Sequence, residues 1–494
     1  MRDRDRLRRD AREIFDSALD AVDARRAVLE AVRVEGASLR VCGAGFDLGR
    51  AGSRVYSVAL GKAGARMAAA LDERLGARLA RGVVSAPEPQ FKLPDRWQTY
   101  AGGHPLPNRE SFEAARAALE LLRAADAEAA RGGGDSVLVV FLVSGGGSAM
   151  LELPRDERLT LEELRETNRA LVSCGAPISE VNAVRRALSA VKGGGLAAAA
   201  GRAAQVTLIV SDTNRGRERD VASGPTLEHD PAPTDPREVI ARHGLRDALP
   251  PSVLRALDKD EGAGANPPAS PGARREHFVL LDNLTACEAA ARAARRLGYR
   301  TKTAHDLVEQ HVEEGAPELV SRLLGLGPGD GDGRGVCLVS GGEFACPVRG
   351  AGVGGRNAET ALRCAFEFEK AAGAKGETED AAGESTAGAA GATADGEVAE
   401  AEGRGRRGPQ FAALCAGTDG ADGNSPAAGA VADDTTLARA RARGLSPERH
   451  LEESDAFSLF DALGDAVVTG PTGTNVRDLR VLVACRASSS GERS

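Results

Sequence analysis

The sequence predicts an α/β protein whose sheets are largely buried, and three observations predict it. Short runs of near-continuous apolar residues recur: "VYSVAL" from residue 55, "SVLVVFLVS" from 136, "QVTLIV" from 205, "GVCLVSGG" from 335 and "FAALCAG" from 411. Such runs suit strands covered on both faces. Each run ends in a Gly-rich or acidic turn, and Ala-rich stretches of helical character alternate with the runs, which is the α/β pattern. At 494 residues, 42% hydrophobic and 28% charged, the chain is long enough for two or three cores.

In chain order, Ile14, Phe15, Ala18, Leu19, Ala21 and Val22 lie at helical spacing and predict a helix within 11–33. The strand–helix alternation then occupies a first domain over 10–257. Residues 258–275, "DKDEGAGANPPASPGARR", combine Pro, Gly and charge and read as a linker. A second domain is expected over 276–490. Within it, the low-complexity stretch 371–409 separates a helix predicted over 357–370 from a strand predicted over 411–416. Its Ala/Gly/Glu/Thr composition buries too little apolar surface to offset ordering, so disorder is expected there.

Bulk properties exclude several classes. A formal charge of −8 and a pI near 5.6 speak against a general nucleic-acid or anionic-membrane binder. No segment reaches the roughly 18–20 uninterrupted apolar residues of a membrane span, and the first residues, "MRDRDRLRRDAREIF", carry no apolar signal core. The eight cysteines are scattered, with no CxxC pair, and read as reduced thiols of a cytoplasmic protein.

In a sheet of this class, ligands bind at the carboxyl ends of strands, and several loops there carry reactive residues. Lys62, in "VALGKAG", sits between a strand and a helix, where a lysine suits an anion; an ordinary solvated lysine is the other reading. In "SGGGSAM", Ser144, Gly145, Gly146, Gly147 and Ser148 would let backbone amides approach a phosphate or carboxylate, or would simply make a tight turn. Glu180, Asn182, Arg185 and Lys192 surround a short helix in "SEVNAVRRALSAVKGGG"; each taken alone is equally read as structural. Asp212 and Asp419 terminate apolar runs, where an acid can hold magnesium, accept a hydroxyl proton or form a turn. Gly350, Gly352 and Gly355 match GxGxxG literally, but the preceding "EFACPVR" is short and partly polar, which makes a weak dinucleotide fingerprint. The alternative is a glycine loop, including Gly354 and Gly355, that delivers Arg356 to an anion, with a helix beginning near Asn357.

Taken in order, "VALGKAG", "GGHPLPN", "LVSGGGSAMLELP", "ISEVNAVRRALSAVKGGGLA", "ASGPT", "DNLTACEAA", "SGGEF", "GAGVGGRNAETAL", "AGTDGADG" and "TGPTGTNVRDLRVLV" resemble the glycerate 2-kinase family over nearly the whole chain. The resemblance implies a Rossmann-like N-terminal domain and a smaller α/β MOFRL domain, with the active site in the cleft between them. It implies ATP and Mg²⁺, D-glycerate as the acceptor and 2-phosphoglycerate as the product. It also implies that Lys62 and Arg356 bind substrate and stabilise the transition state, with Asp212 the third catalytic candidate and Asp212 and Asp419 the metal candidates. Nucleotide and substrate contacts are expected from the 144–148 loop, Glu180, Asn182, Arg185, Lys192, Gly354, Gly355, Asn357 and Asp419. The expected partners are small molecules alone, and a homodimer is one expectation for assembly.

The chain departs from the family pattern at two places. Arg215 and Gly216 stand where Gly and Asp are usual, and Pro426 occupies an acidic position. Those departures keep a non-catalytic or altered-substrate relative in play. A hydroxypyruvate reductase, suggested by the GxGxxG match, is the remaining alternative.

Overall fold

A computed structural model of the chain describes residues 2–49, 53–87, 92–132, 136–227, 234–258, 273–327, 334–383 and 408–486. They form two compact units. One contains Val22–Asn283 and Gly473–Val476; the other contains Met1–Ala21, Leu284–Thr472 and Arg477–Ser494.

In the first unit, β1 (Val32–Glu35), β2 (Ser38–Val41) and β3 (Ala44–Asp47) make a small antiparallel sheet. The main sheet comprises β4 (Arg54–Leu60), β5 (Leu79–Ala86), β6 (Trp97–Ala101), β7 (Val137–Ser144), β8 (Ala204–Val210) and β9 (Arg275–Leu281), in the order β6-β5-β4-β7-β8-β9. Every neighbouring pair is parallel. The chain thus builds outward from β4 to β6, returns to the other side of β4, and builds outward again. This doubly wound order reverses between β4 and β7, and the crevice beyond their carboxyl ends is where such sheets bind ligands.

The sequence explains this sheet locally. All residues of β7 and β8 are buried, so both faces need cover. The helix Arg109–Gly132 supplies cover with Ala115, Ala118, Leu122, Ala125 and Ala129, at helical spacing, against Val58, Val139 and Phe141. Small alanines on that face allow close approach to the sheet. Short helices between 161 and 258 form a separate core around Leu164, Leu171, Val184, Val239 and Val253. The first of them starts with a capping box, in which Thr160 and Glu163 satisfy each other's backbone N–H groups.

The second unit contains a mixed sheet of β10 (Tyr299–Ala304), β11 (Gly335–Gly342), β12 (Pro409–Gly417), β13 (Gly429–Asp433), β14 (Ala466–Val467) and β15 (Asp478–Arg486). Their order is β10-β11-β15-β12-β13-β14. Only β10 and β11 run parallel. The helix Arg2–Ala21 covers one face with Leu7, Ala11, Ile14, Phe15 and Ala18. It is tied down by Arg8 to Asp433 at 2.8 Å and by the Tyr299 hydroxyl donating to Asp10 at 2.5 Å. On the other face, Phe368 stacks on Phe411 with ring centroids 4.9 Å apart.

The α/β class is as expected, while the boundaries differ from the linear division. The opening helix belongs with the C-terminal residues, because its apolar stripe completes the mixed sheet's core. Residues 275–281 belong with the N-terminal unit, because β9 pairs with β8. The linker reading over 258–275 lies mostly outside the described residues. In the stretch expected to be disordered, the helix beginning at Arg356 continues to Gly383; 384–407 lie outside the described residues. All eight cysteines are free thiols. Among the described residues, no helix is long and apolar enough to cross a membrane.

Phe141 is fully buried at the centre of β7. Phe141→Ala is expected to lower stability by about 3–5 kcal/mol through cavity formation, read as an earlier midpoint in urea unfolding followed by circular dichroism.

Candidate active site

The loops after β4 and β7 are joined by hydrogen bonds. The Ser144 hydroxyl donates to the Leu60 carbonyl at 3.1 Å and accepts from the Ala63 amide at 3.0 Å. The Lys62 amide donates to the Gly145 carbonyl at 2.9 Å. Ser144, expected among the binding residues, is fully buried and joins the two loops.

The glycine triplet has identifiable reasons. Gly146 has φ of +80°, and a Cβ there would lie 3.1 Å from His104 Cδ2 and 3.3 Å from Lys62 Cγ. Gly145 lies under the Asp212 carboxylate, whose Oδ2 would be 1.9 Å from a Cβ at that position. Lys62, His104 and Asp212 therefore converge on Gly145–Gly146 at the reversal point of the sheet. Asn475 Nδ2 lies 3.4 Å from Asp212 Oδ2. Asn475 stands in the segment "TGPTGTNVRDLRVLV" but is not among the expected site residues.

Ser148, half-exposed, is 2.9 Å from the buried Ser223 hydroxyl. Asn182 is 1% exposed; it accepts from Ser223 and donates to Asp220 at 3.0 Å. Asn182 thus supports the loop from behind. The other polar residues near it also point inward. Glu180 pairs with His243 at 2.6 Å and with Arg242, and the His243 hydrogen bond helps hold its carboxyl below the usual range. Arg185 donates to Asn168 at 2.8 Å, and burial lowers its pKa. Lys192, 1% exposed, is ion-paired with Glu152; burial pushes its pKa down against the pull of that partner. Glu180, Asn182, Arg185 and Lys192, expected to contact ligand, are thus each engaged by partners within the unit.

In the second unit, Arg356 is the first residue of its helix. Its guanidinium donates to Asp478 through Nε and Nη2, the latter at 3.0 Å, and Nη2 lies 3.1 Å from Glu343. Burial alone would lower its pKa, but Asp478 and Glu343 outweigh it and raise the value. The buried Asp422 caps the same helix, accepting from the Asn357 and Ala358 amides at 2.9 Å each. Burial pushes Asp422 up to about 6, against those two backbone bonds.

Asn357 and the glycines before it are therefore occupied within the unit. The Asn357 side chain is 3.3 Å from Asp422, the Gly354 amide donates to Asn424 at 2.8 Å, and Gly355 packs on Asp422. Gly350 and Gly352 pack on Glu453 and Asp455, so the GxGxxG segment is not a free pyrophosphate cradle. Asp419 accepts from the Ala421 amide at 3.1 Å in a turn after β12.

Among the described residues no group of three or more acidic, histidine or cysteine side chains forms a cation cage. Asp212 beside a glycine loop suits the usual alternative, a carboxylate and nucleotide oxygens sharing the ion. Cavity volume does not locate the chemistry: concavities of about 500 and 530 Å³ lie around Arg349, Arg363 and Lys370, and around Arg155–Leu159, away from the strand-end loops.

Two outcomes follow. Lys192→Met leaves Glu152 buried without its cation and should cost about 3–5 kcal/mol in urea unfolding, while Glu152→Gln/Lys192→Met recovers most of it. Because Asp422 has a raised folded pKa, the native state holds its proton up to about pH 6, where the unfolded chain has lost it near pH 4. Its contribution to stability therefore falls as pH rises from 4 to 6, by on the order of 2–3 kcal/mol. Stability of the wild type measured against Asp422→Asn across that range should show this decline.

Two family models match the chain: Domain of unknown function (DUF4147) over residues 10–258, and the MOFRL family over 401–478. A glycerate 2-kinase of Pyrococcus horikoshii is 30% identical, covering 96% of this chain and 97% of the relative. A putative hydroxypyruvate reductase of Agrobacterium vitis is 32% identical over 77% of this chain and 86% of its own length. The crystal structure of a Thermotoga maritima glycerate kinase superposes with a TM-score of 0.71 at 28% identity, covering 97% of this chain and 99% of that one. With a doubly wound N-terminal sheet, a MOFRL segment and near-complete coverage by such relatives, the chain belongs to the glycerate 2-kinase family.

Proposed function

We propose that the protein is an ATP-dependent kinase that phosphorylates D-glycerate at the 2-hydroxyl, giving 2-phospho-D-glycerate and ADP. The observation that carries this reading is the convergence of Lys62 and Asp212 on Gly145–Gly146 at the reversal point of the parallel sheet. Phosphoryl transfer needs positioning and neutralisation of developing charge more than covalent help from the protein. Lys62 and Arg356 supply cationic charge for the transferring group and the glycerate carboxylate. The backbone at Gly145–Gly147 gives an anion close access to peptide N–H groups. Asp212 orients the attacking hydroxyl and takes its hydrogen bond, with Asp419 the alternative for that role. Mg²⁺, held by ATP oxygens and Asp212, would add neutralising charge at the phosphates.

The acidic charge and free thiols support the cytoplasm as its compartment and small molecules as its partners. The name of the Agrobacterium relative favours a second reading, reduction of hydroxypyruvate. Against it stands the first strand–helix turn of the parallel sheet, "GKAGA", which lacks the dinucleotide glycine pattern.

A coupled ADP-release assay with D-glycerate, Mg²⁺ and ATP should show glycerate-dependent turnover, with NMR identifying the 2-phosphate. Oxidation of NADH or NADPH by hydroxypyruvate, without ADP release, would instead establish the reductase. Lys62→Ala and Arg356→Ala should each lower kcat/KM by on the order of 10²-fold or more; near-normal turnover in both would overturn their assignment.

A further inference from the structure

Behind the glycine loop, a chain of polar side chains has a hydrogen-bond direction that can be worked out from one end. Asp220 is flanked by two guanidinium groups, with Arg186 at 3.1 Å and Arg217 at 3.0 Å. A carboxylate so placed only accepts. The Asn182 group facing it at 3.0 Å is therefore the NH₂, which turns the Asn182 carbonyl oxygen toward Ser223. Ser223 has a single proton, and at 2.9 Å it gives that proton to Asn182. The 2.9 Å contact between Ser223 and Ser148 must then be donated by Ser148. Ser148 is left with lone pairs alone to offer a ligand.

The backbone shows that Ser223 is held in place deliberately. Ala222 and Ser223 adopt φ of +49° and +61°, a costly conformation for residues with a Cβ, ahead of Gly224 at +65°. The Ser223 carbonyl is pinned by the Gly193 amide at 3.1 Å and by Arg186 at 3.2 Å. Ser223 and Asn182 are each 1% exposed, whereas Ser148 is half-exposed in the same loop as Gly145 and Gly146. The relay thus runs from a partly buried ion pair through two buried side chains to the candidate site.

We propose that Ser148 is a specificity-determining residue that accepts a hydrogen bond from the non-reacting hydroxyl of the substrate, and that Ser223 is the positioning residue that sets this polarity. The inference rests on the glycerate kinase reading. An acceptor-only hydroxyl beside a phosphate would face oxygen lone pairs with lone pairs. Against an alcohol it makes a complementary bond, and a substrate lacking that alcohol leaves the acceptor unsatisfied. The substrate class this favours is a 2-hydroxy acid carrying a second hydroxyl at C3.

The test compares D-glycerate with its 3-deoxy analogue, D-lactate, and with the 3-fluoro analogue, which can accept but cannot donate. Turnover with Mg·ATP and calorimetric affinity are measured for the wild type, Ser148→Ala and Ser223→Ala, each checked for fold by circular dichroism. The wild type should prefer D-glycerate over both analogues by on the order of 10- to 100-fold. Ser148→Ala should bring that preference to within a few-fold. Ser223→Ala frees the Ser148 proton and should raise the fluoro analogue several-fold over D-lactate, a change that a merely structural role would not produce.

An undiminished preference in Ser148→Ala overturns the proposal, as does a raised KM for ATP with the substrate ratios unchanged. Binding with the expected preference but no phosphorylation would support the acceptor role and overturn the kinase reading. Neither binding nor turnover of any of the three acids would overturn both.

Discussion

The candidate site depends on one buried hydroxyl. Ser144 bridges the ends of two adjacent parallel strands, accepting from the turn after β4 and donating to the last residue of that strand. With the Lys62-to-Gly145 backbone bond, it makes the lysine turn and the glycine triplet one piece. Neither loop can shift without leaving a buried polar group unsatisfied, at a cost of about 1–3 kcal/mol per group. The position of the lysine backbone is therefore inherited from the register of β4 against β7, which pairs Leu60 with Val143. That register follows in turn from strands apolar on both faces, which are stable only between covering layers. A charged side chain at the reversal point is thus placed by the packing of a sheet interior.

The second unit meets a different demand, that of holding a cation at the start of a helix. Peptide dipoles favour anions there, so an arginine in that position opposes the local field. Asp422 compensates along the backbone by capping the two amides after Arg356, while Asp478 compensates at the side chain by a bidentate pair. The two acids fix separate parts of the same residue. Glu343, the third acid, differs in exposure: its side chain is 36% exposed, against 1% for Asp478. On the proposed function, an incoming carboxylate or phosphate would displace Glu343, the more exposed of the two acids. Replacing Asp478 would strand a buried charge. Arg356 is accordingly held on one side and exchangeable on the other.

The sequence was legible where structure is local. The runs that became β4, β7, β8, β11 and β12 are apolar and end in glycine or acidic turns, and Lys62, the glycine triplet and Asp212 stand at such ends. Sheet order was not legible. The last strand, β15, sits in the middle of the mixed sheet, and the opening helix covers that sheet, because strand order follows long-range pairing. The partners of the polar residues were not legible for the same reason. Lys192 reads as a ligand or as a buried ion depending on Glu152, and Glu180 depending on Arg242 and His243, partners far along the chain. Asp478 stands at the amino-terminal end of its strand, where the rule of carboxyl-end loops does not point. β15 runs antiparallel, so its amino-terminal residue pairs with Gly342 and Gly417, the carboxyl ends of β11 and β12. In an antiparallel neighbour, the first residue of a strand occupies the functional edge.

The two departures from the family pattern bear unequally on the proposed chemistry. Arg215 is exposed, with its guanidinium 3.8 Å from Asp282, so the substitution puts a cation at the surface of this loop where glycine is usual, next to Gly216, which lacks the usual acid. Asp220 cannot stand in for the missing acid, since both of its oxygens are engaged by Asn182, Arg186 and Arg217. A magnesium ion that travels with nucleotide needs few protein carboxylates, because phosphate oxygens and water fill most of its shell. On the proposed function, loss of peripheral acids would weaken the hold on a metal–nucleotide pair more than it would alter the transfer step. The groups that determine geometry are those packed from beneath: Ser144 under the lysine turn, Gly145 under Asp212, and the relay from Asp220 under Ser148. They are small or buried, and their roles come from what they touch. A chain can change charge at the rim of such a site while its floor, set by the sheet, keeps the same shape.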